Sequence, residues 1–150
     1  MCTTPGGNVA AFEQPHFTLR DSLQGYYHQM LAPLLQHEDA DMLLRLFYRE
    51  MLEPTGLGAQ GFANELRPMH DALLRVLCRH LGLKQADDDL LRLAVCLAGL
   101  GVHMHVGRDV TDVIAPTLNA HAQSLDLWGD RLVMYALAMV HAEGQRRYVE

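Results

Sequence analysis

Residues 93–106 (LAVCLAGLGVHMHV) and 132–140 (LVMYALAMV) decide the fold. Neither stretch contains Asp, Glu, Lys or Arg, and each follows a polar segment that reads as a helix start. A helix that is apolar all round has to be buried all round. In a chain of 150 residues the core covers one side of such a helix and seldom both. The other side needs a partner, and a second copy of the same helix pair is the simplest one. The expectation is an all-α domain that forms a homodimer through its last two long helices, as a four-helix bundle.

Composition narrows the function. The net charge is −6, and Lys84 is the single lysine among 12 basic residues. Arg146-Arg147 is the one short basic run. Phosphate neutralisation supplies most non-specific affinity for nucleic acid, so an acidic chain without a basic face is a poor binder on its own. Cys2, Cys78 and Cys96 form no CxxC and no even framework, which suits a reducing, cytoplasmic setting. The start, MCTTPGGNVAAFEQPHF, lacks the pattern of a secretory signal. Residues 1–17 read as a flexible leader and 18–150 as one domain. Neither apolar run reaches the ~18–20 residues of a membrane span, so no membrane partner is expected.

Helix signals follow one another along the chain. Thr18 with Asp21 three residues on resembles a capping box, ahead of apolar residues at helical spacing. Pro33 should end or kink that helix. A second helix covers about 39–53. Asp41, Arg45, Arg49 and Glu53 share its solvated edge, and Leu43, Leu44, Leu46, Phe47 and Met51 its apolar face. A third covers about 62–81, with a kink or restart near Pro68 and an end at Gly82. Asp87-Asp88-Asp89 suit the positive end of a fourth helix, reaching about 107. A short helix at 109–114 and a long one from Ser124 to about 143 complete the chain. No strand-like alternation persists.

The strings LLRLFYREMLEPTG (43–56), ELRPMHDALLRVLCRHLGL (65–83) and LAGLGVHMHVGRDV (97–110) resemble the C-terminal regulatory domain of TetR-family transcriptional repressors, in the YbiH/CecR-type subgroup. The likeness covers about 18–143. It implies an all-helical domain with a small-molecule effector pocket among the middle helices and a dimer built from the last two long ones. Such repressors read DNA through an N-terminal helix-turn-helix domain. Only 17 residues precede the first helix here and they hold no such motif, so DNA contact is expected only through a head absent from this chain.

Candidate site residues are those that interrupt apolar faces. Glu50 lies within the apolar face of the second helix, where a carboxylate must be paired, protonated or beside a wet cavity. His70 interrupts the third helix in the same way. Glu50, His70, Tyr26, Tyr27, Phe47 and His105 are the expected pocket residues. His103 and His105 lie about 200° apart on a helix, so they cannot ligate one ion together. One should face the dimer partner and the other the interior, and spacing alone does not say which. The working assignment puts His103 in the interface with Trp128, Leu132, Tyr135 and Met139. No nucleophile arrangement, paired acids or metal motif is present in the sequence, so no catalytic residue, metal or cofactor is expected. The alternative to an effector domain is a stand-alone helical dimerisation module with no ligand. A cavity walled by Glu50 or His70 favours the first reading, and a solid interior the second.

Overall fold

The computed structural model describes residues 11–35, 38–56 and 58–149. Among them the chain is helical throughout: α1 (Leu19–Leu31), a 3-10 turn (Ala32–Leu35), α2 (Glu38–Leu52), α3 (Ala59–Leu81), α4 (Asp88–Val106), α5 (Arg108–Ile114) and α6 (Ser124–Val149). The expected all-α class holds. Residues 1–10 of the expected leader lie outside the described residues, as do the side chains of Asp41, Leu43 and Leu44.

Local chemistry sets the boundaries. The Thr18 hydroxyl accepts from the Asp21 amide at 3.1 Å, and the Asp21 carboxylate accepts from the Thr18 amide at 3.0 Å. This capping box satisfies two amides that an open helix end leaves bare. Pro33 ends α1 by tightening the chain into the 3-10 turn. Gly82 closes α3 with φ +70°, a left-handed cap that residues with a Cβ adopt at a cost. Pro68 does not restart α3, which runs unbroken for 23 residues. Asp87 caps α4 by accepting the Leu90 amide at 2.9 Å.

The core lies between α1, α3, α4 and α6, and α1 packs most extensively on α6. Leu23, Tyr27, Leu73, Leu77, Leu90 and Leu97 are each at most 1% exposed. Burial of side chains of this size contributes about 1.5–3 kcal/mol each. Tyr27 spans the core and donates from its hydroxyl to the Leu97 carbonyl at 2.8 Å. Gly101 lets the end of α1 approach α4, since a Cβ there would run into the Met30 thioether.

Three expectations change. Residues 11–17, assigned to the leader, carry core contacts: Phe12 is 1% exposed and sits edge-on to Tyr26, with ring centroids 5.7 Å apart. Glu13 forks onto Arg75 at 2.8 and 3.1 Å, and that guanidinium holds the Glu13 carboxyl below its ordinary range. Among the described side chains of the apolar face expected on α2, Leu46 and Met51 are more than half exposed and Phe47 is half-buried. Finally, α4 is longer than its apolar run, because the acidic first turn adds to it. By length and composition it is the one helix among the described residues that matches a membrane span. Its inner face is nevertheless in the protein core: Leu90, Ala94 and Leu97 are 0% exposed.

Candidate functional site

The C-terminal half of α2 faces the corner where α4 ends and α5 begins. Between them lies an open cleft of about 360 Å³, lined by Arg45, Tyr48, Arg49, Leu52 and Glu53 from α2 and its end, and by His105, Val106, Arg108 and Asp109 from the corner. The α2 residues follow the 3–4 spacing that puts side chains on one helix face. Gly107 breaks the chain direction and lets Arg108 and Asp109 turn back toward them.

His105 organises the cleft. Its ring stacks on Tyr48, with centroids 5.7 Å apart and planes 25° apart. Its Nε2 lies 3.0 Å from the Met30 carbonyl at the end of α1. A carbonyl only accepts, so that nitrogen carries the proton and the ring is fixed in orientation. Burial pushes the Tyr48 hydroxyl above its usual range, which keeps the phenol neutral. His103 points elsewhere. Its Nε2 meets the Thr111 hydroxyl at 3.2 Å, while that hydroxyl donates to the Gly107 carbonyl at 2.9 Å. The single hydroxyl proton is thereby committed, so His103 is the donor in its own bond.

Of the expected pocket residues, His105 alone lines this cleft. Glu50 is a turn cap. One of its oxygens accepts from the Thr55 amide at 2.7 Å and the Thr55 hydroxyl at 2.8 Å. Those bonds, with one from the Gly58 backbone, hold its carboxyl below the ordinary range. The reading of Glu50 as an inward pocket acid is therefore corrected: the loop to α3 folds back over the carboxylate and satisfies it. Tyr26 and Tyr27 are core side chains at 3% and 1% exposure, not pocket walls. Phe47 meets Tyr48 edge-on at 6.5 Å beside the cleft without lining it. His70 is half-buried on α3 and does not line the cleft.

A second, shallower cleft of about 520 Å³ lies over Glu13, Asn64, Arg67, Pro68, Asp71 and Arg75. Its central charges already neutralise each other in the Glu13–Arg75 fork, and it has no aromatic wall.

The residues assigned to the interface divide. Leu132 is 3% exposed in this chain's own core, and Trp128 and Met139 pack against that core. Trp128 also donates to the Asn119 side chain at 3.1 Å. Leu132 is thereby corrected to the inner side of α6, while Trp128 and Met139 are half-buried at its edge. Tyr135 is nearly half exposed and His103 is exposed, both on outward faces. Exposed apolar side chains accompany them, Leu91, Val95 and Val106 on α4 and Leu127 and Met134 on α6, interspersed with exposed charges such as Arg92, Asp130 and Arg131. Cys96 is also exposed there, whereas burial raises the Cys78 thiol.

Sequence reasoning missed Arg45 and Arg49, which it placed on a solvated edge. Their spacing with Tyr48 and Leu52 was visible in the chain. Arg108 was not predictable, because only the fold brings it across from α2.

The described residues form an all-helical bundle with a cleft where α2 meets the α4–α5 corner. The chain belongs to the family described as the C-terminal domain of the HTH-type transcriptional dual regulator CecR, whose family model matches residues 19–142. No curated protein and no solved structure matches the chain.

Proposed function

We propose that the chain is the effector-binding and dimerisation domain of a cytoplasmic, ligand-controlled transcriptional regulator, which represses when joined to a DNA-binding head. Family membership supports the regulatory role. One observation carries the effector reading: His105 lines the cleft and also bonds the end of α1 through the Met30 carbonyl. In the TetR-like scheme α1 leads toward the reader head. A molecule that moves the His105 ring therefore biases the placement of α1. Control requires that the effector prefer one placement over the other.

The exposed apolar side chains on the outer sides of α4 and α6 support a homodimer that buries them in a four-helix bundle. Each helix keeps its core side inward, with Leu97 and Ala136 at 0% exposure, while Val95 and Met134 lie on the opposite sides. Interfaces of this composition are large and obligate.

The test combines a thermal-shift screen with hydrogen exchange on the purified chain. A hit that protects residues of the cleft should change exchange in the last turn of α1, and His105→Gln should remove that transmission. Hits that bind the cleft and leave α1 untouched, in a chain that sediments as a monomer, would overturn the reading. A filled interior, with Tyr26, Tyr27 and Phe12 packed together, favours the second reading of a dimerisation module without ligand. That reading expects a dimer and no hits.

A further inference from the structure

We propose that the cleft between α2 and the α4–α5 corner binds a small aromatic carboxylate, held by Arg49 and Arg108 and laid against the Tyr48–His105 stack. This inference rests on the reading of the chain as an effector domain and names the chemical class of the effector.

Charge points to an anion. Three of the chain's 12 basic residues, Arg45, Arg49 and Arg108, line this one cleft, against two acids, Glu53 and Asp109. The chain as a whole is strongly acidic, so its long-range field does not draw anions in. Selection for an anion has to come from these local cations. Arg49 and Arg108 hold no ion pair among the described residues. A guanidinium presents a planar fork that matches a carboxylate in two-point contact.

Shape points to an aromatic ring. The Tyr48 and His105 rings are nearly parallel, and the bond to Met30 keeps the His105 plane fixed. Leu52 and Val106 beside them are 79% and 49% exposed, apolar surface that a flat hydrocarbon would cover. A volume of about 360 Å³ lies at the small end of ligand sites and suits one or two fused rings.

The test uses three probes of equal shape: 2-naphthoate, 2-naphthamide and 2-naphthylmethylammonium. Binding to the wild-type chain is followed by calorimetry and by amide shifts at 45–53 and 105–109. Naphthoate should bind saturably at those amides and the other two at least about tenfold more weakly. Arg49→Gln and Arg108→Gln should each weaken naphthoate about tenfold, with Arg49→Lys intermediate because it keeps charge and loses the fork. Both arginines are exposed, and unchanged melting curves would show that these variants fold. If the amide or ammonium binds this cleft as tightly as naphthoate, the carboxylate proposal falls and the effector reading stands. If naphthoate shifts only other residues, the proposed site falls. If no probe of any charge moves the cleft amides, the proposal falls together with the effector reading of this cleft.

Discussion

The guanidinium of Arg147 grips both carboxylate oxygens of Asp87, at 2.7 and 2.8 Å, and fastens the last turns of α6 to the first turn of α4. Asp87 does two things at once, because the same carboxylate caps the Leu90 amide. Around it, Arg146 reaches Asp89 at 3.0 Å and Glu143 at 2.8 Å, and Arg147 also pairs with Glu143 at 2.9 Å. This network extends α6 beyond the expected end near 143.

The network predicts acid sensitivity. The Arg147 fork and the Leu90 amide hold the Asp87 carboxyl far below its ordinary range, and Arg146 lowers Glu143. Groups depressed in the folded state bind fewer protons there than in the unfolded chain. Their stabilisation is therefore complete above the ordinary carboxylate range, about pH 4, and is lost as pH falls through the folded values. Denaturant midpoints should drop between about pH 5 and pH 3. Asp87→Asn should flatten that slope and lower the Tm at neutral pH by about 2–4 °C. Parallel pH curves for wild type and variant would contradict the assignment.

Phe12 should behave as a core residue despite its place near the start of the sequence. Phe12→Ala is expected to cost about 3–5 kcal/mol in urea unfolding. Gly25 gives an independent check, since a Cβ there would stand 2.6 Å from the Phe12 Cβ. Glycine to alanine inside a helix normally stabilises by up to about 1 kcal/mol. Gly25→Ala should instead destabilise, and a stabilising outcome would mean that Phe12 is not docked.

Glu50 is expected to serve the α2–α3 turn and not the ligand. Glu50→Gln should leave 2-naphthoate affinity within about twofold, far from the tenfold change expected for a charged contact. Glu50→Ala should speed proteolytic cleavage at 53–58 and amide exchange at Thr55, whose N–H it accepts. Loss of probe binding without faster cleavage would restore a pocket role.

The two sides of α6 should separate stability from association. Leu132→Ala is expected to lower unfolding free energy by about 2–5 kcal/mol, because Leu132 is buried in its own chain. Val95→Glu and Met134→Glu, on outward faces, should leave the fold intact and shift sedimentation toward the monomer. A dimer that survives both charges would place the interface elsewhere.

Sequence by itself determined the helices, and it did so where the cause is local. Thr18 with Asp21, Asp87 and Gly82 set boundaries through hydrogen bonds or backbone conformations that span three or four residues, so the signal sits within one turn. The all-α class follows from the same short-range periodicity. The side of α6 that faces the core was a different matter. Between Leu132 and Val140 that helix is apolar on every face, so its period there carries no direction, and only packing against α1 placed Leu132 inside and Met134 outside. Glu50 misled because an acid on an apolar face looks buried until the chain that follows folds back to satisfy it. The cleft, too, was a decision of the tertiary structure. Arg45 and Arg49 are exposed, as their place on the helix indicated, but only the fold sets the α4–α5 corner with His105 and Arg108 across from them, and no local spacing in α2 encodes that approach.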